Sequence, residues 1–375
     1  MRISQFLLFT ALSCTSFQAF AITHNDFPEG TITEDTGLNT TTPTKNLSRS
    51  VSGDTLTYSV NNGQMVYVKN STIDTSSFAN FVATRNNGHL YFYNTKIIGK
   101  NVTLESSVRL LNHSTVSADG GAGIEAENIV LKDSARVAGS STAGDVILKA
   151  TNSFLMQGKA NISGVDVTAN SISLESAATV AVQNSSFTAE TISISGSSLQ
   201  IGGEFVTIDE ETGEILNTYI GNDVSADSIV LESGTLSLAE AALTETSITM
   251  NGGSLNILNN VEVGALTLND GTLNFSGDYV IDLGNEDLIL GDNVAITLNV
   301  DSLDNIEGIT LFKTTGNVSG LDELSVTFRD ATGTEKEAAV SFSNGSVVTG
   351  TIPEPTTATL SLLALAGLAA RRRRR

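Results

Sequence analysis

The 375-residue sequence predicts an all-β protein built as a right-handed parallel β-helix, a solenoid with N- and C-terminal caps and one short C-terminal transmembrane helix. Alternating apolar runs separated by Gly, Ser, Asp or Asn turns recur about every 20 residues. Proline is absent from 44 to 352, as expected for ladders in which every residue donates its N–H. Helix-period patterns are nearly absent from 51 to 350. An array of β-sandwiches is the alternative, disfavoured because its strands would usually be longer.

The repeat predicts a solenoid over residues 101–278. Its clearest units pair two apolar-x-apolar runs: Ile192 and Ile194 with Leu199 and Ile201, Ile229 and Leu231 with Leu236 and Leu238, Ile248 and Met250 with Leu255 and Ile257, and Leu266 and Leu268 with Leu273 and Phe275. Alternation over such short runs directs one face of each strand inward. Asn, Ser and Thr at the turns are expected to form ladders along the axis.

Residues 1–21 predict a signal peptide. Arg2 supplies a positive start, an apolar stretch follows, and Ala19 and Ala21 match the small-x-small cleavage rule, so the mature chain is expected to begin at Ile22. Lipidation of Cys14 is the alternative, disfavoured because a better cleavage site follows. Cys14 is the only cysteine, so hydrogen bonding and core burial must stabilise the exported chain without disulfides.

The N-terminal part predicts a polar, Thr-rich lead-in at 22–50 and a hairpin-rich cap at 51–100, with turns at 61–63 and 86–88. Tyr91 and Tyr93 alternate on one strand and therefore share a face. They are candidate glycan contacts, because two tyrosines on one face form a platform for stacking sugars. The alternative is that these aromatic residues seal the end of the core.

A hairpin is predicted to interrupt the repeat at 204–219, and a C-terminal β cap is predicted at 279–352. The hairpin tip carries four acids that are weak candidates for binding Ca²⁺, namely Asp209, Glu210, Glu211 and Glu214. Their spacing matches neither an EF-hand loop nor the glycine-aspartate nonapeptide Ca²⁺ repeat, so a solvated acidic tip is the favoured interpretation. No other metal site is predicted.

Charge and composition argue against several functions. The net charge is −21, and loss of Arg2 and the five terminal arginines brings it near −27, which argues against nucleic acids and anionic membrane surfaces as partners. The three histidines are scattered along the chain, and no nucleophile or metal-ligand motif occurs. Asp145, Asp166 and Asp227 are interpreted as scattered turn residues, because Asp is common in turns for backbone reasons. We therefore predict no catalytic residues and no cofactor.

The C-terminal segment 353–375 combines three parts. It consists of Pro353, Glu354 and Pro355, an apolar stretch at 356–370, and the arginines Arg371, Arg372, Arg373, Arg374 and Arg375. As a helix the apolar stretch would be about 22 Å long, short of the roughly 30 Å hydrocarbon core, which favours a transient membrane stop. The arginines are expected to stay cytoplasmic. A plain tail anchor and a buried C-terminal helix are the alternatives.

These three parts resemble the PEP-CTERM sorting signal of Gram-negative bacteria, which is also described as an ice-binding protein C-terminal domain. The resemblance is confined to 353–375. It implies export across the inner membrane, recognition by an exosortase-type membrane transpeptidase, cleavage near the motif, and delivery to the cell surface or the extracellular space. Signal peptidase would process the other end. The solenoid body resembles the β-helical passenger regions of autotransporters.

We therefore expect a structural or adhesive protein of the cell surface or extracellular matrix, without catalysis, whose ligand would be an exopolysaccharide or another glycan. Membrane contact is expected only through the C-terminal segment. One alternative is a carbohydrate-active β-helix enzyme or a glycan-binding protein; the enzyme predicts a groove lined by Asp or Glu together with Arg or Lys from successive coils. An ice-binding solenoid is a minor alternative, which requires a flat face with regularly spaced Thr.

Overall fold

The computed structural model describes residues 30–33, 47–60, 65–69, 71–85, 88–112, 122–139, 146–176, 178–180, 185–208, 215–304, 306–321 and 324–350. Within these residues the regular structure consists of β-strands, and no helix occurs. The predicted all-β, repeat-like architecture is thus confirmed. The predicted signal peptide, most of the lead-in and the whole segment 353–375 lie outside the described residues.

Thirty-five strands follow one another through the described residues. The first twelve are β1 (Gly30–Thr33), β2 (Leu47–Ser52), β3 (Thr55–Val60), β4 (Met65–Lys69), β5 (Ser71–Asp74), β6 (Asn80–Arg85), β7 (His89–Tyr93), β8 (Lys96–Ile98), β9 (Asn101–Leu104), β10 (Arg109–Leu111), β11 (Ala122–Leu131) and β12 (Arg136–Ala138). The next twelve are β13 (Val146–Met156), β14 (Asn161–Ser163), β15 (Val165–Thr168), β16 (Ser171–Glu175), β17 (Thr179–Val180), β18 (Ser186–Ser195), β19 (Ser197–Ile201), β20 (Glu204–Ile208), β21 (Ile215–Ile220), β22 (Asp223–Leu231), β23 (Gly234–Leu238) and β24 (Ala242–Leu243). The last are β25 (Ser247–Met250), β26 (Ser254–Ile257), β27 (Val261–Val263), β28 (Leu266–Phe275), β29 (Ile281–Asp282), β30 (Leu288–Asn299), β31 (Thr310–Lys313), β32 (Val318–Ser319), β33 (Ser325–Arg329), β34 (Glu335–Ser343) and β35 (Ser346–Gly350).

Each turn of the chain adds one strand segment to each of three parallel ladders. Sheet I contains β3, β6, β9, the second halves of β11 and β13, β16, the second halves of β18 and β22, β25, the first halves of β28 and β30, and β32. Sheet II contains β4, β7, β10, β12, β14, β17, β19, β23, β26, the second halves of β28 and β30, and β33. Sheet III contains β1, β5, β8, the first halves of β11 and β13, β15 and the first halves of β18 and β22, and it resumes with β24, β27, β29 and β31.

The longest strands are those that turn a corner between two sheets. In β11, residues 122–126 belong to sheet III and residues 128–131 to sheet I, with a register shift between Ala126 and Asn128. A bulge of this kind bends a strand sharply. The chain therefore passes from sheet III to sheet I without a loop, which accounts for strands of ten or more residues in a solenoid of short rungs.

An apolar stack runs along the inner side of sheet I. One residue from each rung is at most 1% exposed and pairs with its counterpart above and below: Leu56, Phe81, Val102, Ile129, Phe154, Ile172, Ile192, Ile229, Ile248, Leu266 and Leu288. Neighbouring rungs are about 4.8 Å apart, so this stack is roughly 50 Å long. The apolar pairs predicted between 192 and 275 are rungs of sheets I and II, as expected.

Asparagine side chains form a second kind of stack, at the start of the sheet I strands. The Nδ2 of Asn128 donates to Oδ1 of Asn101 (2.8 Å), and the Nδ2 of Asn101 donates to Oδ1 of Asn80 (3.1 Å). The Nδ2 of Asn152 continues the series by donating to Asn128 (2.9 Å). These bonds satisfy polar groups at the corner of each coil, and they confirm the expected axial ladders.

The N-terminal region departs from the expected hairpins. Strands β3 and β4 flank the turn at 61–63 but do not pair with each other; β3 pairs in parallel with β6, and β4 with β7. The chain therefore passes from sheet I to sheet II between β3 and β4, and again between β6 and β7. One antiparallel pair does occur here, because β2 lies against β3 at the end of sheet I. Strand β1, within the predicted lead-in, pairs with β5.

The predicted insertion is a separate antiparallel hairpin formed by β20 and β21. At the other end, the parallel coils do not stop near 279 but continue through β30 to β33. Strands β34 and β35 then pair antiparallel with each other, with β34 also on β33 and β35 also on β31. The hairpin of β34 and β35 thus joins the ends of sheets II and III.

Candidate glycan-binding face and acidic groove

Strand β7 places three aromatic rings on the outer side of sheet II. Leu90 and Phe92 point into the central core, so the alternating residues His89, Tyr91 and Tyr93 point outward. The ring centroids of His89 and Tyr91 are 6.0 Å apart with a 28° interplanar angle, and those of Tyr91 and Tyr93 are 6.3 Å apart at 32°. The prediction that the two tyrosines share one face is therefore confirmed.

Arginines from the following coils occupy the same row. Tyr91 pairs in register with Arg109, which pairs with Arg136. The Cζ atom of Arg109 lies 5.5 Å from the ring centroid of Tyr91, a cation–π contact. No local sequence pattern predicts this alignment of arginines, because the coil lengths that bring them together are irregular in this region. We call His89, Tyr91, Tyr93, Arg109 and Arg85 the aromatic–arginine face.

Burial divides the roles of the two tyrosines. Tyr91 is only 8% exposed and packs with Leu111 and Ala138, so its ring faces are already in contact with protein. Tyr93 is half-buried and packs on the edge of this cluster. Tyr93 is therefore the more accessible of the two rings, whereas Tyr91 contacts Arg109 and Tyr93 rather than offering an open surface.

The electrostatic environment of this face is positive. Burial lowers the pKa of His89, and the nearby Arg85 and Arg109 lower it further because they disfavour a third positive charge. Burial also raises the pKa of Tyr93, with a second contribution from Tyr91, while Arg109 opposes the rise. At neutral pH the imidazole of His89 is therefore uncharged, and the positive charge of this face comes from its arginines.

A groove of about 640 Å³ opens where sheet III is interrupted. No strand pairing joins β22 to β24 in this part of the described chain, and a hydrogen bond from Oγ1 of Thr246 to the carbonyl oxygen of Ala226 (2.6 Å) connects the two coils instead. Ala and Thr residues of successive corners form much of its wall. Three acids from successive coils also line it, namely Glu190, Asp227 and Glu245.

This groove matches half of the pattern expected for a carbohydrate-active β-helix enzyme. Carboxylates from successive coils line it, but no Arg or Lys belongs to the described lining. Of the aspartates considered from the sequence, Asp227 lies in the groove. Asp166 lies on a strand of sheet III and accepts a hydrogen bond from Oγ of Ser186 (2.7 Å), and Asp145 lies outside the described residues.

The outer row of sheet I bears on the ice-binding alternative. Its central position is occupied in successive rungs by Thr57, Val82, Thr103, Val130, Leu155, Ser173, Ser193, Val230, Thr249 and Thr267. Threonine alternates with larger apolar side chains at one end and is replaced by serine in the middle. The row therefore lacks the regular threonine spacing that this alternative requires.

Other predicted sites lie partly outside the described chain. Asp209, Glu210, Glu211 and Glu214 fall there, as do Ala19, Ala21, Pro353, Glu354, Pro355 and the five terminal arginines. Among the described residues, no group of three or more His, Cys, Asp or Glu side chains is placed to hold a metal ion. The same residues include no helix with the length and apolar character needed to cross a bilayer.

Comparison with known proteins adds no relative. No protein-family model matches the chain, and neither the curated proteins nor the solved structures contain a significant match.

Proposed function

We propose that this chain is an exported structural or adhesive protein of the cell surface or extracellular matrix, in which a rigid solenoid presents a glycan-binding face. The observation that carries the proposal is the continuous inner stack of sheet I, roughly 50 Å long, with the aromatic–arginine face on its N-terminal coils. In such a stack each coil is held by its neighbours, so the body extends without a single globular core. A spacer requires such an extended body, in which every coil is supported by the coils next to it.

The acidic surface fits the same role. The whole chain contains 41 acidic and 20 basic residues, so copies of the protein repel one another and stay dispersed. Against this background the aromatic–arginine face is a local exception. It combines a half-buried tyrosine with guanidinium groups, which are side chains that stack on sugars and donate hydrogen bonds to their oxygens.

Delivery to the surface is the second part of the proposal. Residues 1–21 would direct export and be removed by signal peptidase, and segment 353–375 would be recognised by an exosortase-type transpeptidase at Pro353, Glu354 and Pro355. The stretch 356–370 would form a short membrane helix with its arginines in the cytoplasm. The solenoid would be right-handed, and its terminal strands β2, β34 and β35 would cap it. Support comes from the sequence motifs and the cysteine-free body.

Sorting is tested by deleting residues 353–375 in a Gram-negative host that carries the processing system. The intact chain should mature to a smaller mass and leave the inner membrane. The deletion variant should keep the mass expected after signal-peptide removal alone and fail to reach the surface. An unchanged mature mass and location in the deletion variant would contradict this part of the proposal.

Adhesion is tested by binding the purified full chain to a glycan array. We expect binding without turnover, and Tyr93→Ala should weaken it about fivefold, consistent with loss of one stacking contact of about 1 kcal/mol. Tyr279→Ala is the matched control, since Tyr279 is also half-buried but lies in a C-terminal coil. Both variants must keep the circular dichroism spectrum of the parent. If the protein bound no glycan on the array, the adhesive role would be contradicted and only the spacer role would remain.

A carbohydrate-active enzyme is the second candidate, favoured by the three carboxylates of the groove. It predicts release of reducing sugars from a polysaccharide by the full chain. Glu190→Gln or Asp227→Asn should then abolish the release, whereas Glu262→Gln, at an exposed position farther along sheet III, should not. Absence of any product with substrates that bind would exclude this candidate.

A further inference from the structure

Two arginines of the aromatic–arginine face form no ion pair with an acidic residue in the part of the chain that the structure describes. The ion pairs of the described residues join Lys96 to Glu125, Lys132 to Glu105 and Arg329 to Glu335. Arg85 and Arg109 belong to none of them, although acidic residues outnumber basic ones two to one in this chain. Arg85 instead donates from Nη1 to the carbonyl oxygen of Gly88 (3.2 Å), which holds it beside His89.

Both guanidinium groups lie along strand β7: Arg85 is bonded to the carbonyl oxygen of Gly88, next to His89, and Arg109 contacts the ring of Tyr91, which stacks with His89. Both lower the pKa of His89, so both positive charges are felt at the imidazole. Both side chains are half-buried, and a partly buried charge is screened less by solvent than a fully exposed one. An anion held between them would relieve this repulsion and would receive charge-assisted hydrogen bonds.

The aromatic rings define what kind of anion fits. Tyr93 offers an amphipathic ring beside Tyr91, whose ring Arg109 contacts, and such a ring favours the apolar face of a sugar over a small inorganic ion. The rings of His89, Tyr91 and Tyr93 follow one another along one strand at 6.0 and 6.3 Å, so the contacts lie along a line that suits an extended polymer. A ligand that matches both the arginines and the tyrosine ring is a chain of sugar rings that carries regularly spaced negative charges.

We propose that the aromatic–arginine face binds a carboxylate-bearing polysaccharide, with Arg85 and Arg109 contacting its carboxylates and Tyr93 contacting a sugar ring. This inference rests on the proposed adhesive function and narrows its ligand class to acidic glycans. The acidic remainder of the surface would keep such a polymer at this one face, since a polyanion is repelled elsewhere.

The test compares polygalacturonate with its fully methyl-esterified form, which has the same sugar backbone without the charge. Calorimetry or surface plasmon resonance with the full chain should show binding to the acid form that weakens with added NaCl, and much weaker binding to the ester. The double variant Arg85→Gln with Arg109→Gln should lose about tenfold in affinity, the effect of two partly exposed charge contacts. The control Lys313→Gln with Arg329→Gln removes the same net charge from the other end of the solenoid and should bind as the parent does.

The outcomes separate the two proposals. Equal binding of acid and ester forms, unaffected by the Arg85 and Arg109 changes, would overturn the acidic ligand but leave an adhesive function. Equally tight binding of a sulfated polysaccharide or of single-stranded DNA would overturn the carboxylate assignment in favour of a general polyanion face. Binding to no polysaccharide at all would overturn the adhesive function together with this inference.

Discussion

Ile192 and Ile229 are adjacent rungs of the same stack, although 37 residues of chain separate them. The preceding rung, Ile172, lies only 20 residues before Ile192. The hairpin of β20 and β21 accounts for the difference. Its two ends meet at the solenoid, where the N–H of Gly221 donates to the carbonyl oxygen of Gly203 (2.7 Å). The hairpin is therefore an insertion into one coil, and it does not form a rung of the main sheet.

Deleting residues 204–220 should leave the solenoid folded. The deletion removes 17 residues and restores the 20-residue spacing of the neighbouring coil. We expect the far-UV circular dichroism spectrum and the urea midpoint to stay close to those of the parent. A deletion of equal length at 223–239 removes β22 and β23 and should prevent folding. If the first deletion also abolished the β signal, the hairpin would be part of the core.

Ile229→Ala should destabilise the protein by about 2–5 kcal/mol, because it leaves a cavity in a fully buried stack. The neighbouring Val230→Ala is the matched control. Val230 points outward from the same strand and is half-buried, so we expect a cost below about 1 kcal/mol. Urea denaturation of both variants measures the difference. Equal costs would mean that the inward stack is not the main source of stability.

Strong local alternation made two of the three sheets predictable. Pairs such as Ile248 with Met250 and Leu255 with Ile257 directly predicted the rungs of sheets I and II. Sheet III was missed because several of its strands, such as β24 and β29, have only two residues and show no alternation. The turns at 61–63 and 86–88 suggested hairpins, because Asn-Gly turns suit both a hairpin and a corner. Only pairing with a strand about 25 residues away distinguishes the two.

The candidate site depended on the same distant pairing. Alternation within β7 was enough to place Tyr91 and Tyr93 on one face. The approach of Arg109 to Tyr91 depends on how many residues the intervening coil contains, which no local pattern specifies. The local sequence did not predict the burial of Tyr91 either, since this burial results from packing with Leu111 and Ala138 in later coils.

Asn128→Ala should cost about 1–2 kcal/mol of unfolding free energy. Asn128 is half-buried and donates to Asn101 while accepting from Asn152, so its loss leaves several polar groups without partners. The comparison is Asn269→Ala in an exposed ladder, where Asn269 donates to Asn251 (2.8 Å) and water can replace the bond. We expect at most about 0.5 kcal/mol there. Chemical denaturation of both variants decides whether burial sets the strength of a ladder.

A column of glycines lies at the corner between sheets I and II, and replacing one of them with alanine should destabilise the protein. Gly253 has a φ of +82°, and a Cβ placed on it would lie 2.6 Å from the carbonyl oxygen of Gly234 in the preceding coil. Gly253→Ala should therefore combine left-handed backbone strain with a backbone clash and cost more than about 2 kcal/mol.

Gly333→Ala separates the two effects of the Gly253 change. Gly333 has a nearly identical φ of +80°, but nothing lies within 4 Å of an added Cβ, so only the strain of about 1–2 kcal/mol is expected. Thermal or urea unfolding of the two variants gives the difference, which measures how tightly successive coils approach at this corner. If Gly253→Ala cost no more than Gly333→Ala, the coils would be able to separate there, and the spacer would be flexible at that point rather than rigid.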